Sequence, residues 1–102
     1  MATASLSIGA NTGHGIREYV AAALDVLDEM GIHYELTPMA TNLEGDVGTI
    51  CNALTAIHAR CHRLGAPRVE SLLKIDDRID TDQTLASKVA HVAEVRANAA
   101  RR

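Results

Sequence analysis

Residues 34–47, YELTPMATNLEGDV, leave this chain few ways to fold. The stretch alternates as a strand, turns at Thr37-Pro38, alternates again, and ends at Gly45-Asp46, a pair suited to opening a helix. Tyr34 and Leu36 share one face of the first run, and Glu35 and Thr37 the other. In the second run Leu43 points inward, with Asn42 and Glu44 outward. The result is a hairpin with one greasy side and one side of carboxylates and hydroxyls. A slip of one residue would invert a whole strand, so the register is constrained. Pairing Leu36 with Leu43 would set Glu35 opposite Glu44, two like charges. A slip of two puts Thr37 opposite Glu44 with a hydrogen bond available, and that register is the one expected.

The flanking segments read as structure that covers the greasy side. Ala4, Leu6 and Ile8 alternate with Thr3, Ser5 and Ser7 in an opening strand over residues 2–8. Asn11-Thr12-Gly13-His14-Gly15 follows as a loop, either a plain connection or an anion cradle, and it lacks the Lys and spacing of a phosphate-binding loop. Residues 16–30 predict a helix with an apolar stripe of Ile16, Val20, Ala23, Leu24, Leu27 and Met30, stopped by Gly31. Asp46 caps a second helix whose stripe is Val47, Ile50, Leu54, Ile57, Cys61 and Leu64; Gly65 and Pro67 end it. Residues 68–76 read as a fourth strand, with Val69, Ser71, Leu73 and Ile75 on one face. A last helix starts at Thr81 or Asp82, with Leu85, Val89, Val92 and Val95 inward.

The order β-α-β-β-α-β-α gives an α+β, ferredoxin-like fold: a four-stranded antiparallel sheet, both long helices on one face, and an extra C-terminal helix. All 102 residues fit one domain. The other face of the sheet is left uncovered, presenting Ser5, Ser7, Thr37, Glu44, Leu72 and Lys74. It is a solvated surface, a ligand floor or a subunit interface.

Composition narrows the function classes. The net charge is −3, and there is neither Trp nor Phe, which disfavours a nucleic-acid binder. No apolar run reaches the length of a membrane span and no signal-peptide pattern opens the chain, so a cytoplasmic protein is expected. Cys51, His58 and His62 fall on one helical face, while Cys61 points into the apolar stripe. Cys51 and His62 are nevertheless roughly 16 Å apart along the axis. Only His58 and His62 could share an ion, and neither a metal nor a cofactor is expected. No Gly-x-Ser-x-Gly is present, and no Cys sits where its pKa would fall. Glu44 and the pair Asp76-Asp77 are candidate acid and base groups, although Asp76-Asp77-Arg78 reads equally as a strand end with a local ion pair.

The hairpin GIHYELTPMATNLEG, with its Thr-x-x-Glu-Gly, and the later LLKIDDR resemble the small thiamine-binding protein family, once catalogued as an uncharacterised conserved family. The opening strand and the EYVAAALDVL helix fall in the order the resemblance requires. The resemblance implies a ferredoxin-like fold and sheet-to-sheet dimers that often pair into tetramers. It also implies binding of thiamine or its hydroxymethylpyrimidine moiety, with no established catalysis. A carboxyl group can meet the aminopyrimidine with two hydrogen bonds, and Glu44 beside Thr37 is the candidate. Met39 and Leu72 would offer apolar contact, Met39 also a sulfur near the thiazolium charge. The expected ligand-binding set is Ser7, Thr37, Met39, Thr41, Glu44, Leu72, Lys74 and Asp76, on the open face and walled by a second subunit. The alternative is an interaction module that oligomerises through the same face without a small molecule.

Overall fold

In the computed structural model, which describes residues 1–11 and 15–101, seven elements follow in the expected order. They are β1 (Ala2–Asn11), α1 (Arg17–Glu29), β2 (His33–Leu36), β3 (Thr41–Gly45), α2 (Val47–Arg63), β4 (Arg68–Asp77) and α3 (Leu85–Ala100). β1 continues past the end expected at Ile8 and takes in Asn11 of the expected Asn11–Gly15 loop; Thr12, Gly13 and His14, on which the anion-cradle reading also rests, lie outside the described residues. Among the described residues, no helix is long and apolar enough to cross a membrane.

The sheet runs β2-β3-β1-β4, with antiparallel pairing throughout. β1 is central: it pairs with β3 from Ala2↔Gly45 to Leu6↔Thr41, and with β4 along all ten residues, from Ala2↔Asp77 to Asn11↔Arg68. Alternation puts Ala2, Ala4 and Leu6 on the helix-covered face, where they are buried with Leu43. Ile50, Ala53, Ile57 and Cys61 of α2 close over them. Both helices stop in the same way. Gly31 (φ 68°) lets its own N–H donate to Asp28 O and that of Ile32 to Leu27 O; Gly65 (φ 108°) does so toward His62 and Cys61. The Asp46 carboxylate caps α2 by accepting from the Thr49 hydroxyl at 2.5 Å and the Thr49 N–H at 3.2 Å, and these hydrogen bonds hold it below the usual carboxylate range.

Three expectations are corrected. The hairpin register is shifted by two in the opposite direction: His33 lies opposite Glu44, Tyr34 opposite Leu43 and Leu36 opposite Thr41. Thr37 and Ala40 close the turn instead, with Thr37 N–H to Ala40 O at 2.9 Å and the Thr37 hydroxyl bonded to both Ala40 O and Ala40 N. That register also avoids like charges, since Glu44 meets His33 at 3.4 Å and Glu35 faces Asn42.

The α1 face is wider than the stripe read from sequence. Tyr19, Ala22 and Val26 are buried with Ala23 and Leu27, whereas Ile16 and Met30 are exposed, as is Leu64 after α2. The small Ala22 and Ala23 let α1 lie close, so the face turned to α2 includes residues off the predicted stripe. Finally, α3 begins at Leu85, capped by Thr84 and Ser87 in a reciprocal capping box, and none of its residues is buried. Of the inward side predicted for Val89, Val92 and Val95, Val89 only edges the hollow over the sheet and Val92 and Val95 stand exposed, because α3 touches the sheet only near its start.

Ile57 is fully buried between α2 and the sheet. Ile57→Ala is expected to cost about 2–5 kcal/mol of unfolding free energy, read by urea denaturation.

Candidate functional site

The expected ligand-binding residues do not share one face. β3 pairs Thr41 with Leu6, which places Thr41 on the helix-covered side, and β3 ends there. Beyond that end the 37–40 turn folds against β1, where the Ser7 hydroxyl is 3.5 Å from Met39 O. Across from the turn, one side of α1 presents Ile16, Val20, Ala23 and Leu27 at spacings of one helical turn. Together with Leu6, Ile8, Leu36 and residues 37–41 they enclose a cleft of about 430 Å³. Thr37, Met39 and Thr41 therefore come together on the helix side of the sheet end, and Ser7, on the open face by alternation with Leu6, meets them at the rim through Met39 O.

The cleft is lined by Leu, Ile, Val, Ala, Pro, Met, Ser and Thr side chains, and none of these described lining residues carries a charge. Thr37 is committed: its hydroxyl donates to Ala40 O at 2.7 Å and accepts from Ala40 N–H at 3.2 Å, fixing the turn that forms the roof. Met39 at the tip is 88% exposed. The wall from Ile16, Val20 and Leu36 was visible in the sequence only as apolar periodicity, which reads the same for a packed core as for a cleft lining.

Lys74 and Asp76 lie on the opposite face, in a shallower hollow of about 300 Å³ that also takes in Thr3, Ser5, Glu35, Asn42, Leu85, Lys88 and Val89. Asp76 is held there by Lys88 Nζ at 2.8 Å, and that bond and charge keep its carboxyl below the usual range. Arg78 reaches forward to Asp80 rather than back to Asp76, with contacts of 2.9 and 2.6 Å. Glu44, mostly buried, has both oxygens engaged: Oε2 accepts the Leu85 N–H at 3.0 Å and Oε1 faces His33 Nε2 at 3.4 Å. Its carboxylate tethers the start of α3. Leu72 stands alone on the open face, 72% exposed.

On α2, His58 Nε2 is 2.7 Å from Ser71 Oγ, and His62 donates from Nδ1 to Ala66 O at 2.8 Å. Among the described residues, no group of three or more His, Cys, Asp or Glu is placed to hold a metal ion. Cys61 is fully buried, which pushes its thiol pKa up, the reverse of what a nucleophile needs.

Comparison with known proteins gives one consistent result. The family model described as thiamine-binding protein matches residues 4–93. A UPF0045 protein from Synechocystis is 38% identical over 87 residues, covering 85% of this chain and 69% of its own length. A UPF0045 protein from Methanothermobacter thermautotrophicus is 40% identical over 80 residues, covering 78% and 81%. The solved structure of a hypothetical protein from Methanocaldococcus jannaschii superposes with a TM-score of 0.83 at 32% identity, covering 91% of this chain and 96% of that one.

The Asp76–Lys88 contact makes the seating of α3 sensitive to acid. Because the folded-state pKa of Asp76 is depressed, the contact's stabilisation is complete above the unfolded value of about 3.9 and is lost as pH falls through the lower folded value. Amide exchange in the first turns of α3 should accelerate in that acid window. Asp76→Asn should show the faster exchange already at neutral pH.

Proposed function

The chain belongs to the thiamine-binding protein family, and from that premise we propose that it binds thiamine, or the hydroxymethylpyrimidine moiety of thiamine, in the cleft beneath the 37–40 turn, without turnover. The observation that carries this reading is the cleft itself: about 430 Å³, mostly apolar, with hydroxyls at one edge. That volume lies within the range typical of small-molecule sites, roughly 300–1,000 Å³.

The chemistry of the ligand suits the lining. A methyl-bearing aromatic ring is flat and apolar on both sides, which Ile16, Val20 and Leu36 match by dispersion and water exclusion. Its exocyclic amine and ring nitrogens lie in the ring plane, where the Thr41 hydroxyl and the carbonyls of the turn can meet them. The fixed positive charge of the thiazolium is costly to bury unpaired. It would stay at the mouth, beside the exposed Met39 sulfur and in contact with water. Since none of the described lining residues is an acid or base, a bound ring meets no general acid–base pair there, which supports binding alone.

The sequence places the ligand on the open face, around Glu44, Lys74 and Asp76. The cleft supports the proposal better, because Glu44 and Asp76 already hold α3 and would have to release it to receive a ligand.

Mass spectrometry of small molecules released from the purified protein, with calorimetry of thiamine and of hydroxymethylpyrimidine, tests the reading. Binding of at least one of the two is expected. Val20→Phe fills the cleft and should weaken binding by about tenfold or more, equivalent to ~1.4 kcal/mol, with little change in melting temperature. Lys74→Met, on the far face, should bind as the wild type does. Neither released ligand nor heat of binding would refute the function. A folded Val20→Phe variant with undiminished affinity would place the ligand elsewhere.

A further inference from the structure

The roof of the cleft is uneven in its hydrogen-bonding groups. In the 37–40 turn the Thr37 N–H donates to Ala40 O, and the Ala40 N–H to the Thr37 hydroxyl. Pro38 has no N–H. Of the four residues only Met39, at the exposed tip, keeps an N–H without a partner among the described residues. The carbonyls are the reverse. Ala40 O already accepts twice, from the Thr37 N–H and the Thr37 hydroxyl. Thr37 O and Pro38 O accept nothing from the described residues, and Met39 O takes only the long 3.5 Å contact from Ser7. The groups left uncommitted in the roof are mostly acceptors.

Below the turn, β3 supplies one adaptable group. Thr41 is only 8% exposed, on the helix-covered face opposite Leu6. Its hydroxyl has no partner among the described residues, yet none of their side-chain polar atoms is both sealed from solvent and unpaired. The hydroxyl therefore opens on the cleft that Thr41 lines. A polar group on so buried a residue ordinarily has a partner, and here the place of that partner is the cleft.

We propose that this division makes the cleft selective for flat nitrogen heterocycles carrying an exocyclic amine, against the same rings with a carbonyl in its place. The inference rests on the proposed seating of the pyrimidine beneath the turn. An aminopyrimidine presents a donor, its amine, beside an acceptor, its ring nitrogen. The amine donates to an uncommitted carbonyl of the roof, and the Thr41 hydroxyl donates to the ring nitrogen. The oxo form inverts the pattern, with a carbonyl oxygen beside a ring N–H. Thr41 adapts to either, because a hydroxyl rotates and accepts as readily as it donates. The roof does not adapt. Its carbonyls would meet the carbonyl of the ring, acceptor against acceptor, in a site from which Ile16, Val20 and Leu36 exclude water. Polar groups left unpaired there reject the oxo ring. Thr41 thus fixes the ring, and the turn decides between its forms.

Calorimetry with hydroxymethylpyrimidine and with its oxo counterpart, at a mildly alkaline pH where the ring is neutral, tests the proposal. The wild type should bind the amine form about tenfold more tightly or better. Thr41→Val keeps the shape of the side chain and should weaken both ligands by about tenfold with their ratio unchanged. Thr41→Ser, which returns the hydroxyl, should restore most of the affinity. Equal affinity of the wild type for the two rings would overturn the selectivity while leaving the cleft as the binding site. A Thr41→Val variant that binds the amine form as the wild type does would overturn the role of Thr41. One that loses the preference would show that Thr41 and not the roof makes the choice, contrary to the proposal. Binding of neither ring to the wild type would overturn the proposed function, and this inference with it.

Discussion

Everything in this fold depends on the double pairing of β1. The strand is hydrogen-bonded to β3 on one side and to β4 on the other, so its alternation fixes two faces for the whole sheet. Ala2, Ala4 and Leu6 define the face that α1 and α2 must cover, and their small or slender side chains let the helices approach closely. Thr3, Ser5 and Ser7 define the other face, which two helices on one side cannot reach. The helix-covered cleft and the open face both follow from this division.

The cleft exists because β3 is short. β1 pairs with β4 along its full length but with β3 only as far as Leu6↔Thr41, so the 37–40 turn must bridge the gap. The hydrogen bonds of Thr37 to Ala40 make that turn a defined roof rather than a loose loop. The first half of α1 then stands off from the sheet end, and Ile16 and Val20 face the gap while Tyr19 and Val26 pack into the rest of the core. One helix thus contributes both to the core and to a cavity wall.

The element order, the fold and the two-sided sheet were legible in the sequence because each rests on local signals. These are the period-two alternation in β1, the Asp46 cap, and the glycines that stop α1 and α2. The hairpin register was not legible, because both candidate pairings kept the faces correct and only the Thr37–Ala40 turn geometry distinguishes the observed one. The expected ligand set put Ser7, Thr37, Met39 and Thr41 on one face with Lys74 and Asp76; the fold groups the four around one cleft, and only Ser7 of them shares the open face with Lys74 and Asp76. Alternation from Leu43, two residues on, already puts Thr41 on the helix-covered face; what the sequence did not show is the cleft that the 37–40 turn forms there. Glu44 shows the same limit. Its carboxylate looked free as a ligand donor because the partner that uses it, the Leu85 N–H, arrives 41 residues later in the chain.

The measurement closest to the central claim is the map of amide chemical-shift changes on titrating the protein with thiamine. If the ring binds beneath the 37–40 turn, the largest changes fall in residues 16–23 and 36–41, with Thr3, Ser5, Lys74 and Asp76 nearly silent. Changes concentrated on Ser5, Lys74 and Asp76, with α1 and the turn undisturbed, would contradict it.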